Sequence, residues 1–195
     1  MVVRRRLPGC RAVPLDVVRD GVDFLASASH KFLLGSGGMG YLYVRRDLLH
    51  RIRPVGPGWK AARKPAESFY GPAMDLSPSA SKLDTSLAWF PAVADAASLS
   101  IFSRFGTDTL LERNSQLTLR LQDALSAQGL SFHHFPDENR STIVSVQVGD
   151  TEAVLARFHQ ANVRASIRAG NIRLSVHFYN LEEEIDRVAE LIGRS

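Results

Sequence analysis

Residues 23–46 read DFLASASHKFLLGSGGMGYLYVRR, and the rest of the chain is organised around them. A short apolar strand, Phe24, Leu25 and Ala26, runs into a small-residue turn carrying His30 and Lys31. An apolar run (Phe32, Leu33, Leu34), a glycine-rich bend (Gly35, Gly37, Gly38, Gly40) and a second strand over residues 41–44 follow. A lysine flanked by apolar strand residues is a costly choice, because burying an ammonium without a partner disfavours its charged form. A neutral amine is what imine chemistry with an aldehyde needs. Read alone, such a lysine is more often one that lays its stem along a strand edge. Residues elsewhere in the chain have to decide.

A length of 195 residues is enough for one core or two small ones. Apolar residues make up 45% and charged residues 23%, the ordinary balance of a soluble globular protein. The net charge is +4, part of it from Arg4, Arg5 and Arg6; the remainder is nearly balanced, so nucleic-acid binding is not implied. One cysteine, Cys10, excludes an internal disulfide framework and a cysteine-built zinc cluster, and no other metal site is expected. It fits a reducing cytoplasm, the location expected here. No run approaches the length of a membrane-spanning helix, so no membrane partner is expected. The opening MVVRRRLPGCRAVPLDV has arginines with no apolar segment behind them, so it does not read as a secretory signal. It has neither helical nor strand periodicity.

Further along, residues 13–17 read as an extended entry restricted by Pro14, then a short turn or helical piece over residues 17–21. Residues 46–52 read as a short helix. Residues 54–86 are rich in Pro, Gly, Ser and Ala; a run that long is expected to cover an active site or a partner subunit. Pro91 suits the first residue of a helix to about Phe105, with Gly106 ending it. Thr107 reads as the N-cap of a long helix to Gln128, with Gly129 as its stop. Leu110, Leu117, Leu121 and Leu125 fall on one face of that helix, a spacing for the core. The last third alternates: a strand over residues 142–148, an amphipathic helix over 151–162, and strands over 163–168 and 172–178. Ala169, Gly170 and Asn171 turn the last two into a hairpin, and a helix over 181–192 follows, with Asn180 as its cap. This β-α-β-β-α order describes a small α+β unit. Glu182, Glu183 and Glu184 complement the dipole of the closing helix.

Two stretches together resemble the class V family of pyridoxal-phosphate-dependent aminotransferases. DFLASASHKFLLGSGGMGYLYVRRDLL is similar to the family's lysine segment, DF-x-x-x-[ST]-x-HK-x-x-x-GP-x-G-x-G-x-LYVRR. IRLSVHFYNLEEEIDRVAELI is similar to its C-terminal signature, R-x-S-x-x-x-YN-x-x-EE-[IV]-D. The order and spacing match, and from Val13 onward the resemblance covers nearly the whole chain. It implies that Lys31 forms the internal aldimine with pyridoxal phosphate and that its freed amine shuttles the substrate's α-proton. His30 would contact the cofactor phosphate. The family's small hydroxyl residue three before the lysine is Ala28 here, so Ser29 or Ser27 is expected to supply that contact. The four glycines read first as a tight bend close to the lysine. Arg173 would bind the substrate α-carboxylate, which suits guanidinium geometry; read without the family, it sits on the solvated face of an edge strand with Ser175 and His177. KLDTSLAW, residues 82–89, stands where the family carries a Gly-Thr pair reaching the neighbouring subunit's phosphate. Here that pair is Thr85 and Ser86, without the glycine.

Two departures qualify the resemblance. The family's aspartate for the pyridinium nitrogen and its glutamine for the ring oxygen fall, aligned without gaps, at Arg5 and Pro8, neither of which can substitute. The earlier half of the large domain is absent too, so residues 1–11 read as a truncated or shifted start, with an incomplete cofactor site. Desulfurases of the family need a mobile nucleophilic cysteine shortly before the carboxylate arginine. Residues 168–173, RAGNIR, hold none, and Cys10 is far away, so desulfuration by the thiolate route is not expected.

The expectation is therefore an α/β fold: the C-terminal part of a fold-type-I pyridoxal-phosphate enzyme. Residues 1–90 would be the end of the large domain, and residues 91–195 the linking helices and small α+β domain. The activity expected is transamination of an amino acid, or epimerisation or lyase chemistry of the same family. A homodimer is expected in the full-length parent. The rivals are a non-catalytic remnant that cannot bind the cofactor and a nucleic-acid binder led by Arg4, Arg5 and Arg6.

Overall fold

A computed structural model describes residues 15–70, 74–85, 88–136 and 141–193, and the backbone of residues 3–5. The chain forms two compact units that divide between Ile101 and Phe102, inside one helix.

In the first unit, strands β1 (Val3–Arg5), β2 (Phe24–Ala28) and β3 (Gly40–Val44) form one sheet in that order. β2 and β3 are an antiparallel hairpin running from Phe24 opposite Val44 to Ala28 opposite Gly40. Its open end is closed by Arg45, whose amide donates to the Asp23 carbonyl (2.9 Å) and whose guanidinium pairs with the Asp23 carboxylate (2.5 Å). β1 lies parallel to β2, with Val3 opposite Phe24. The opening residues have no strand periodicity, but a ladder is made through backbone groups, so three residues can pair without any alternation of side chains. Val22, Leu25, Phe32, Leu33 and Leu48 are buried around this sheet.

The long small-residue stretch is folded. It makes 3-10 turns at Trp59–Ala61, Pro65–Glu67 and Ala80–Leu83, and Ala62 bridges to Leu76. Ala61 and Ala62 are buried beneath those turns. Residues 46–51, read as a short helix, take the 3-10 form. Helix α1 (Trp89–Phe105) begins two residues before Pro91, which occupies the first turn, where its missing amide costs nothing.

The second unit packs helices α2 (Thr107–Ala127), α3 (Thr151–Gln160) and α4 (Glu182–Gly193) around an antiparallel sheet. That sheet runs β4 (Ile143–Val146), β6 (Asn171–Ser175), β5 (Ser166–Arg168). The α2 leucines at 110, 117, 121 and 125 are buried as their spacing requires. Leu117, Leu121 and Leu125 join Val144, Val146, Phe158, Ile172, Leu174, Ile185 and Ile192 in one core. Gly106, with φ +80, caps α2, so Thr107 is its first helical residue. Asp150 caps α3, its carboxylate accepting from the Ala153 amide at 2.9 Å.

Candidate functional site

The lysine turn is the loop of residues 29–39 that joins β2 to β3. Ser29 anchors it. Its amide donates to the Met39 carbonyl (3.2 Å) and its carbonyl accepts from the Gly35 amide (2.9 Å). Its hydroxyl lies 3.1 Å from both the Ser36 and Met39 carbonyls, and the side chain is fully buried. Ser29 was one of two serines expected to reach a phosphate; in this structure its hydroxyl is used inside the turn. Ser27, half-buried on β2 opposite Tyr41, is the other.

Phe32 and Leu33 turn into the core, whereas His30 and Lys31 stand exposed at the corner between them and the strand. That overturns the idea of a lysine forced into apolar surroundings. The apolar neighbours are buried on their own account, and the turn directs the amine outward. Among the described residues the four lysines differ in one respect. Lys60 lies over the Trp59 ring, Lys64 pairs with Glu67, and buried Lys82 donates to the Leu49 carbonyl. The Lys31 ammonium has no such partner among the described residues. Two positions make the bend: Gly38, at φ +100, and Gly35, where a Cβ would sit 2.1 Å from an Asp95 carboxylate oxygen.

In the second unit Arg173 sits on the middle strand of its sheet, not on an edge, directly between Ser145 of β4 and Ser166 of β5. Ile172 and Leu174, its neighbours along the strand, are buried against the helices, so the half-buried Arg173 shows its guanidinium on the other face. No ion pair or hydrogen bond engages that guanidinium among the described residues. β5 turns into β6 through Ala169 and Gly170, both at positive φ (49° and 76°). The strand ends at Ser175, which corrects the placement of His177 on the same face. His177 is buried and stacked on Tyr179 (4.5 Å), and its amide donates to the Asn180 side chain (2.9 Å). Asn180 in turn donates to Glu184, which accepts the Leu181 amide and so holds the start of α4. Those bonds hold the Glu184 carboxyl below the usual range, the backbone amide first.

Thr85 is exposed just after the 3-10 turn at Ala80–Leu83; Ser86, and Pro8 at the place of the family's glutamine, lie outside the described residues. Sequence reasoning passed over Asp95, buried beneath Gly35 with one oxygen accepting from the Tyr41 hydroxyl at 2.7 Å. A signal was present: it is the only charged residue in the apolar stretch 89–101. Burial first, and then that bond, push the Tyr41 phenol up to about 12.

The turn offers an unpartnered amine for a carbonyl, with an imidazole and the Ser27 hydroxyl on the same hairpin for phosphate oxygens. It offers no carboxylate for a ring nitrogen. Asp23 is paired with Arg45 at the hairpin's opposite end, and Asp95 is buried under Gly35.

A sheet-borne lysine turn followed by an arginine-centred α+β unit defines a protein of the class V aminotransferase kind. The family profile, Aminotransferase class-V, matches residues 9–188, and the chain belongs to that family. It is 26% identical over 182 residues to the uncharacterized aminotransferase YcbU of Bacillus subtilis (strain 168), covering 93% of this chain and 48% of that protein. It is 24% identical over 218 residues to a probable cysteine desulfurase of Staphylococcus aureus (strain Mu50 / ATCC 700699), covering 96% and 49%. Among solved structures, the cystine C-S lyase C-DES, in complex with its product cysteine persulfide, superposes with a TM-score of 0.83 at 22% identity, covering 96% of this chain and 50% of that one. The fold is thus part of a fold-type-I transferase, and the chain spans about half the length of the curated relatives it matches. Among the described residues no helix is long and apolar enough to cross a membrane.

Proposed function

We propose that this chain carries the lysine and arginine segments of a pyridoxal-phosphate enzyme that works at the Cα of an amino acid, by transamination or epimerisation. The observation that carries the reading is the exposed Lys31 amine, alone among the four lysines in having no partner among the described residues. It stands at the corner of a turn pinned by hydrogen bonds at Ser29, Leu34 and Gly35. With the cofactor bound, Lys31 would be the residue that holds it through its carbonyl carbon, and its amine, when free, would take up and give back the α-proton. Arg173, braced in the middle of a three-stranded sheet, receives the α-carboxylate in its two-pronged fork. His30 and Ser27 bind phosphate oxygens, with Thr85 and Ser86 doing so across a homodimer interface. The bound cofactor supplies an electron-accepting ring. The thiolate route to desulfuration is set aside in this reading. Ala169 and Gly170 alone join β5 to β6, and the single cysteine is Cys10. The reading places the protein in the cytoplasm.

The test is to add pyridoxal phosphate, reduce with borohydride, and locate the pyridoxyl group by mass spectrometry. Label concentrated on Lys31 supports the reading. Label spread evenly over Lys31, Lys60 and Lys64 overturns it and favours a remnant without cofactor chemistry.

A further inference from the structure

The lysine turn is gripped from below by one face of α1. Pro91, Asp95 and Ser98 are spaced i, i+4 and i+7, so they share a stripe of that helix. Each meets the turn at a different place. Pro91 Cγ lies 3.4 Å from where a Cβ on Gly38 would stand. Asp95 Oδ2 accepts from the Tyr41 hydroxyl (2.7 Å), while Oδ1 occupies the space a Cβ on Gly35 would need. Ser98 Oγ donates to the Leu34 carbonyl at 2.7 Å. Leu34 is held at φ +58, a conformation that a bulky side chain rarely adopts and that persists only where surrounding contacts over-determine it.

Asp95 is a poor choice for stability alone. It is 3% exposed, and its Oδ1 has no hydrogen-bond partner among the described residues. A buried carboxylate with one unsatisfied oxygen is unfavourable, and an apolar residue of similar size would fill the space without that cost. What a carboxylate adds is a fixed acceptor that ties Tyr41, the second residue of β3, to the helix. It also fills Gly35's vacant side-chain position, leaving the turn no slack at either end.

We propose that Asp95 is a positioning residue for Lys31: through Tyr41 and Gly35 it clamps the turn onto α1 and so fixes the direction of the amine. The proposal rests on the reading of Lys31 as the carbonyl-binding amine. The clamp itself is tested without cofactor, by amide hydrogen exchange on the purified chain. In Asp95→Ala, the amides of Ser29, Leu34 and Gly35 are expected to exchange about tenfold faster, as for loss of a charge-assisted hydrogen bond. The amides of Val22 and Arg45, at the other end of the hairpin, keep their rates. Asp95→Asn retains an acceptor oxygen for Tyr41 and restores slow exchange. In parallel, reductive labelling with pyridoxal phosphate is read as the ratio of Lys31 to Lys64, which falls severalfold in Asp95→Ala and recovers in Asp95→Asn. Unchanged exchange at the turn, or a rise shared equally by Val22 and Arg45, overturns the clamp. Faster exchange with an unchanged labelling ratio overturns the positioning role. Wild-type labelling no stronger at Lys31 than at Lys64 overturns the reading of Lys31, while the exchange data still decide the clamp. If Asp95→Ala does not fold, Tyr41→Phe and Ser98→Ala each delete one bond, and the same amides are read.

Discussion

Lys31 and Arg173 are alike in being polar groups that no other described residue engages, and each is flanked along the chain by buried apolar side chains. For Arg173 those flanks are Ile172 and Leu174; for Lys31, Phe32 and Leu33 lie on one side only. In the pyridoxal-phosphate-loaded protein, Arg173→Ala is expected to weaken amino-acid binding by about 2 kcal/mol, roughly thirtyfold, the scale of a lost bond to a charged group. Titration calorimetry with an α-amino acid checks this, and unchanged affinity would remove Arg173 from the carboxylate role. Tyr41 allows a measurement without any ligand. Its phenol is expected to titrate at about 12 in the ultraviolet phenolate band. Tyr41→Phe removes that late component, and Asp95→Ala brings it earlier. The pattern of residues 23–46 marked the position of Lys31 but not its exposure, because apolar neighbours in sequence need not surround a side chain at the corner of a turn. Asp95 shows the converse: a lone charge in an apolar helix was visible, but its target, sixty residues back at Gly35, was not.

At the scale of elements, local signals were strong wherever capping and periodicity decide the structure. Asp150→Ala is expected to cost about 1 kcal/mol, the usual value of a lost N-cap, measured by urea denaturation. The turn between β5 and β6 was read one residue too long, since Asn171 already belongs to β6. Its two residues both have positive φ, as in a type I′ hairpin, yet the first is Ala169. Ala169→Asn, which tolerates that conformation better, should raise stability by roughly 0.5–1 kcal/mol in the same measurement. A fall in stability would show that the alanine methyl is needed for packing. The strands of the second unit came out shorter than their apolar patterns and β2 and β3 longer, because a pattern marks which residues face inward and not how far the partner strand extends. β1 illustrates the extreme case, a strand with no pattern at all.

Across the whole second unit, α2 and α4 are joined by paired charges: Arg113 with Glu182, and Arg120 with Asp186 at 2.6 and 2.7 Å. The Arg113 guanidinium bonds hold the Glu182 carboxyl down at about 2, against an ordinary 4.5, and Arg120 lowers that of Asp186. Folding therefore favours the charged carboxylates. Their contribution is complete above pH 4.5 and is lost as the pH falls towards 2. Thermal melts across that range should show stability declining with acid, and Glu182→Gln should flatten the decline; a variant with the wild-type slope would exclude this pair as its source. What the sequence determined unaided is the family, and with it the two residues proposed to carry its chemistry. Motif order and spacing are properties of the chain, and His30–Lys31 and Arg173 sit in theirs whatever the fold does. The helices with clear caps and faces belong to the same class, since their causes lie within a few residues. Only the tertiary structure decided that Lys31 is exposed, that Ser29 is spent inside its own turn, that Arg173 stands mid-sheet, and that α1 grips the lysine turn. Each depends on what a distant segment puts beside a residue, and burial and pairing across such distances leave no local mark in the chain.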